Sequence, residues 1–509
     1  MKRYKQANEG IHAPEEVKEK AARPAVRSSR ARWMGAVAAV LAVALITGVA
    51  LWPKQSNVPD PMSLDGPRGI GLSPATDPIP YRANTLAAVV YPEMVPYPKE
   101  EDYTSPTGKF DYDKYSDAHR AWRESRDALR SDTDYAGMMD GFLSASTAQF
   151  LTGAGSENRV YSPLNVYMAL SMLAETAGGS SRQQILDLLQ ADSIETLRTR
   201  VSTLWKDHYR DDGQVASILA NSLWLNEALG EHYAQDALDR LAQDYYASSF
   251  SGEMGSGEYN QALRDWVNEQ THGLLKDVAD GLEMDPYTVL GLASTIYFKA
   301  GWASKFDKDD TWEDIFHAPS GDLTVDFMHS SRTQTCYWAE HFSAVSLSFA
   351  GGECEMWLIL PNEGYSPDDL LATGEAMEFL LADKYDYAGS KYLTVNLSMP
   401  KFDVSSSTDL IRGLQELGVT DVFDYTVSDF TPLTDLPEVC VSQAVHAARV
   451  IADEEEVEAA GFVYIGIEPG DAPPPPDEAD FILDRPFLFA ITGPSGLPLF
   501  TGVVNQPNG

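Results

Sequence analysis

The chain has 509 residues, 44% of them hydrophobic and 22% charged, a globular composition that excludes disordered, collagen-like and disulfide-dense molecules. Lys and Arg number 38 against 76 Asp and Glu, a formal charge of −38, and a field of that sign repels phosphate backbones and argues against nucleic acid as a partner. Cys336, Cys354 and Cys440 allow at most one intrachain disulfide, and none sits in a Cys-x-x-Cys pair of the kind that binds zinc.

Trp33 to Trp52 is an uncharged run of 20 residues, which as a helix reaches about 30 Å, the thickness of a hydrocarbon core. Indole rings mark both ends and Pro53 stops the helix. Residues 1–32 carry nine Lys or Arg against four Glu, so this basic tail is expected to stay cytoplasmic and the remainder to be exported. A retained single-pass anchor in the cell membrane is favoured; the alternative is a signal peptide cleaved near Gly48-Val49-Ala50, which would give a secreted protein. Eleven prolines between Pro53 and Pro106 keep the next stretch extended. Residues 53–133 read as a proline-rich extracytoplasmic spacer. Within it Tyr112 to Arg130 is helix-prone, with Arg123, Glu124, Arg126 and Asp127 on a solvated face.

The compact domain is expected over 134–509. Apolar residues at three- and four-residue spacing predict helices over Met138–Leu151, Pro163–Ala177 and Ser181–Leu189, the second of them capped by Ser162 ahead of a first-turn proline. Strand patterns follow at Val345–Phe349, Met356–Leu360, Leu393–Met399, Val441–Val450 and Phe487–Ile491. Helices early and strands late make an α+β domain. No catalytic motif is present, and the histidines closest together, His317, His329 and His341, lack ligand spacing. The sequence reads as a non-enzyme without a metal or cofactor.

Ile451 to Leu483 is longer than an ordinary connection. Its first half alternates: Val457, Ala459, Gly461, Val463 and Ile465 would share one face of an extended chain, and Glu456, Glu458, Ala460, Phe462 and Tyr464 the other. Its second half, with Pro473 to Pro476, lacks the donors of a central strand and should be exposed to proteases.

The acidic, alanine-rich segment Glu454-Glu455-Glu456-Val457-Glu458-Ala459-Ala460-Gly461, with His446 eight residues before Glu454, resembles the reactive-loop hinge of the serpins. Further motifs are similar to that family in the same order: Tyr161-Ser162-Pro163-Leu164, Ala220-Asn221-Ser222-Leu223-Trp224, Ile296-Tyr297-Phe298-Lys299 with Trp302 and Phe306, Met356 to Pro361, Pro400-Lys401-Phe402, Asp484-Arg485-Pro486-Phe487 and Phe500-Thr501-Gly502. The resemblance implies helices packed around a large central β-sheet, two further sheets and an exposed reactive-centre loop.

It also implies a monomeric suicide substrate of serine proteases. The target cleaves the loop, the freed segment inserts into the central sheet, and the acyl-enzyme is trapped. Trp302 looks like the tryptophan at the breach, where the loop enters the sheet. Ser162 and His446 match two members of the shutter below it, while Asn165 and Ser294 stand with hydroxyl and amide exchanged. Family spacing counted forward from Glu454 puts the scissile bond at Gly470–Asp471 and counted back from Pro486 at Pro475–Pro476; a Pro-Pro bond is a poor substrate, so the first is favoured, and small residues there, with no Lys or Arg between Ile451 and Asp484, suggest an elastase- or subtilisin-like target. Glu456 occupies the usual hinge glycine. The alternative is therefore a non-inhibitory member serving as a surface binding or adhesion protein.

Overall fold

The computed structural model describes residues 84–130, 135–454, 456–457 and 477–507. The basic tail, the apolar run 33–52 and the scissile-bond candidates Gly470 and Asp471 lie outside the described residues. Among the described residues no helix is long and apolar enough to cross a membrane.

Helices form where the periodicity predicts them: α1 (Tyr112–Asp127), α2 (Asp140–Leu151), α3 (Pro163–Thr176) and α4 (Gly179–Leu188). The Ser162 side chain accepts the Asn165 N–H at the start of α3, and Pro163 fills a position whose donor would have no partner. Almost every residue of α3 is buried, as a helix apolar on all sides requires. It lies between the central sheet and the strand Pro498–Val504 of the second sheet.

The central sheet contains β1 (Thr85–Ala87), β2 (Val215–Asn226), β3 (Ala247–Gly252) and β4 (Leu290–Gly301) in the order β1-β3-β2-β4. The second sheet, of nine strands, includes β5 (Ser390–Pro400). A separate antiparallel pair joins β6 (Phe402–Asp409) to β7 (Val445–Ala452), with His446 opposite Thr408. Two short strands flank the long loop: β8 (Glu456–Val457) adds to the edge of β4, and β9 (Glu478–Ile482) runs parallel to β5. In the second sheet Phe489 pairs with Gly502, and a Cβ at position 502 would stand 2.3 Å from the Phe489 ring. Only glycine fits there, which is the physical content of the Phe500-Thr501-Gly502 motif. Cys336, Cys354 and Cys440 form no disulfide.

Four sequence expectations are corrected. The spacer does not extend to residue 133, because residues 84–130 pack on the domain. β1 pairs antiparallel with β3, the Val89 N–H donates to Ser248 Oγ (3.1 Å), and Tyr91 stacks on Trp205 at 5.6 Å. Proline-rich chain is extended but not excluded from burial, and its tyrosines supply the apolar area. Arg126 is buried rather than solvated. The strand placed at Val441–Val450 starts at Val445, and Glu478–Ile482, read as loop, pairs with Thr394–Ser398.

Candidate functional site

The hinge leaves β7 at Ala452 and turns onto the end of β4. The Trp302 indole, 1% exposed, stacks on Phe349 (5.0 Å, 12°) and donates its Nε1–H to the Asp453 carbonyl at 2.8 Å. One residue on, the Glu454 carbonyl accepts the Phe306 N–H (3.1 Å) and the Glu454 carboxylate pairs with Lys401 Nζ at 3.1 Å. Burial opposes ionisation of Glu454, but a backbone N–H and the Lys401 ammonium outweigh it and hold the carboxyl below its ordinary range. Glu456 then pairs with Gly301 and Val457 with Ala300. Trp302 therefore lies where the chain passes from β7 to the end of β4.

Among the described residues β4 and β7 lie in separate sheets. Among the described residues β8 is the one strand paired to that edge of β4. Between Ile296, Tyr297 and Phe298 on one side and Arg449, Val450 and Ile451 on the other lies a cavity of about 220 Å³, reaching Ile491 and Phe500 of the second sheet. A gap between two strands over an apolar floor is a place where another strand can add.

Below the cavity the first turn of α3 ties both sides together. On the β7 side the Ser162 N–H donates to His446 Nε2 (3.0 Å), and Ser162 Oγ–H donates to the Leu499 carbonyl (2.6 Å). On the β4 side Asn165 Nδ2–H donates to Ser294 Oγ, Ser294 Oγ–H donates to Asn221 Oδ1, each at 2.8 Å, and Asn221 Nδ2–H donates to the Tyr245 carbonyl at 2.7 Å. Ser162, Asn165, Ser294 and His446 are thus brought together in one network, joined through the Asn165 N–H to Ser162 Oγ. His446 is buried, and desolvation lowers its pKa from 6.5 to about 4, so the ring is neutral and accepts at Nε2.

A family model for serpins, serine protease inhibitors, matches residues 143–507. The chain is a serpin. Among its relatives, Serpin-ZX of Arabidopsis thaliana is 28% identical over 372 residues, which span 70% of this chain and 94% of that one. Leukocyte elastase inhibitor of Sus scrofa is 28% identical over 365 residues, 69% of this chain and 93% of that one. The crystal structure of the thermophilic serpin tengpin in its native state superposes with a TM-score of 0.64 at 25% identity, covering 74% of this chain and 96% of that chain.

Three residues of this serpin site were not singled out from sequence. Lys401 stood inside a motif without a role, and its partner Glu454 is 53 positions away. Phe349, which stacks on Trp302, carries no signal beyond hydrophobicity. Asn221 did carry one: it is an amide inside the largely apolar Leu219 to Leu225, where it is fully buried, and a buried amide needs a partner.

The contact between Asn165 and Ser294 makes a direct prediction. Asn165→Ser and Ser294→Asn alone should each cost about 1–2 kcal/mol in urea unfolding, and the double variant should recover at least about 1 kcal/mol of the sum. Additive losses would mean that the exchanged pair is not one unit.

Proposed function

We propose that this serpin inhibits serine proteases as a suicide substrate. The protease serine attacks the scissile carbonyl, the amine side departs with the C-terminal segment, and the ester is retained while the hinge side of the loop inserts beside β4. The observation that carries this reading is the register Val457–Ala300. Continued without a slip, it sets Ala459 opposite Phe298, Gly461 opposite Ile296, Val463 opposite Ser294 and Ile465 opposite Leu292. Residues directly opposite share a face, and Ala300, Phe298 and Ile296 belong to the core. The uncharged alternation of the loop therefore falls on the buried face, and Glu456, Glu458 and Tyr464 fall on the other. A slip by one residue would bury the glutamates, at a cost of several kcal/mol each.

In this reading the target is elastase- or subtilisin-like, cut at Gly470–Asp471. Small residues there, the absence of Lys and Arg from Ile451 to Asp484, and a relative whose name is leukocyte elastase inhibitor support the choice. In the same reading the inhibitor sits on a membrane with the serpin domain on the exported side, which the basic tail and the apolar run support.

The test is to mix the purified full-length chain with elastase-, subtilisin-, chymotrypsin- and trypsin-like proteases and to run denaturing gels. A band at the summed mass that survives boiling is expected with one of the first two. The N-terminal sequence of the released peptide, expected to begin at Asp471, identifies the bond. Clean cleavage with no such band across the panel would overturn inhibition and favour a binding or adhesion role.

A further inference from the structure

We propose that the seam between residues 84–130 and the rest of the domain holds one buried monovalent anion the size of a halide, bound by Arg210 and Ser217. The inference is independent of the inhibitory reading. The family match begins at residue 143, and α1, which closes one side of the seam, precedes it.

The short strand Arg210–Asp211 pairs antiparallel with β2 and sets Arg210 directly opposite Ser217, so the two side chains share a face. Both line a cavity of about 10 Å³, together with Arg126, Arg130, His208 and Cys354. Such a volume admits one occupant of about the size of a water molecule or a halide, and no larger oxyanion. The Arg210 side chain is 5% exposed and Ser217 is 2%. Arg210 Nε–H donates to Asp212 Oδ2 at 2.6 Å, but neither of its Nη atoms, nor Ser217 Oγ, has a hydrogen-bond partner among the described residues. The guanidinium is held in place by Gly351, where a Cβ would stand 2.5 Å from Nη2, and by the Trp122 ring, 5.4 Å from its Cζ.

The neighbouring carboxylates are already engaged. Asp212 Oδ1 accepts the N–H groups of Gln214 and Val215, each at 2.9 Å, and Oδ2 accepts the Trp122 Nε1–H at 2.9 Å besides Arg210. Glu353 binds Arg126 through Oε1 and Arg130 through both oxygens, at 2.9 and 2.8 Å. Its Oε2 stands 3.7 Å from Arg210 Nη1, beyond hydrogen-bond reach.

Charge points the same way. The guanidinium groups of Arg126, Arg130 and Arg210 face the carboxylates of Asp212 and Glu353, and Lys206 and Asp207, which also line the cavity, cancel each other. Among the described residues one positive charge is left without a counter-charge. Burial pushes the Cys354 thiol up to about 12, so it stays protonated and neutral. Burial likewise lowers the pKa of His208, whose ring nitrogens are bonded to the Leu204 carbonyl and to Ser495 Oγ. An arginine does not give up its proton, and a buried charge without a partner is costly. A halide accepts from several N–H and O–H donors at once and cancels the remaining charge, whereas a water molecule would accept hydrogen bonds and leave that charge in place.

The test follows thermal unfolding of the full-length chain while chloride or bromide replaces gluconate at constant ionic strength. A saturable rise in the unfolding temperature is expected with both halides. Arg210→Met should abolish it. That variant also loses the bond to Asp212, so Ser217→Ala, which keeps the arginine, is measured beside it and should need at least about threefold more halide for the same rise. Crystals of the wild-type chain soaked in bromide and measured at the bromine absorption edge should show an anomalous peak within hydrogen-bond distance of Arg210 Nη1 or Nη2 and Ser217 Oγ. No saturable halide effect in the wild type, an effect of equal size in wild type and Ser217→Ala, or density at this position without anomalous signal would each overturn the anion site, the last by assigning the position to water.

Discussion

Replacing Trp302 by Ala is expected to cost the uncleaved fold about 3–5 kcal/mol, the range for removing a large buried ring. The indole is 1% exposed, lies on Phe349, meets Phe306 edge-on at 6.0 Å, and donates to the Asp453 carbonyl. It holds the turn by which the chain leaves β7 for β8, so its loss frees the hinge as well as opening a cavity. Trp302→Phe keeps most of the stacked area and removes the N–H, and should cost about 1–2 kcal/mol. Urea midpoints at an unchanged slope give both numbers. Equal losses in the two variants would assign the effect to the hydrogen bond and leave the stacking without energetic weight.

Acidification is expected to weaken the uncleaved fold by about 3 kcal/mol through His446 alone. In the fold, burial holds the ring's pKa at about 4 instead of 6.5, and its Nε2 accepts the Ser162 N–H, a role that a proton on Nε2 abolishes. In the unfolded chain the same ring takes up its proton near its ordinary value of about 6.5. Between these two values the unfolded state binds more protons, so stability is fully present above about pH 6.5 and is lost as the pH falls toward about 4. His208, buried and shifted in the same direction for the same reason, contributes a parallel slope. The measurement is therefore the difference between wild type and His446→Gln across urea titrations in that window. The variant should show the flatter profile, and identical slopes would remove His446 from the pH response.

The consequence for function is directional. The first turn of α3 is bound to β4 through Asn165–Ser294 and to β7 through Ser162–His446. Those are the two strands between which an inserted strand would lie, so protonating His446 loosens one side of the opening.

Much of this molecule is legible in its sequence because the relevant signals are local. Helix α3 is written in its apolar spacing and in Ser162-Pro163, and its observed bounds, Pro163–Thr176, differ by one residue from the periodicity. The fully buried strand Phe487–Thr492 is written as an apolar run. Ser162, Trp302 and His446 stood out through motifs in a fixed order along the chain, and the structure places Ser162 and His446 in hydrogen-bond contact and Trp302 against the Asp453 carbonyl. The alternation from Glu456 to Ile465 belongs to this class too, because period two is a property of neighbouring residues.

What the sequence left undetermined depends on partners far along the chain. Residues 84–130 read as a spacer because prolines and charges describe a segment's intrinsic preference, not the groove into which it fits. Arg126 is buried only because Glu353, 227 positions away, compensates its charge. The strand Glu478–Ile482 exists because β5 offers a free edge, and the register in which the chain joins β4 is fixed by the pairing of Val457 with Ala300. Burial of a charge and choice of register are both decided by what stands opposite, and that is information only the folded chain contains.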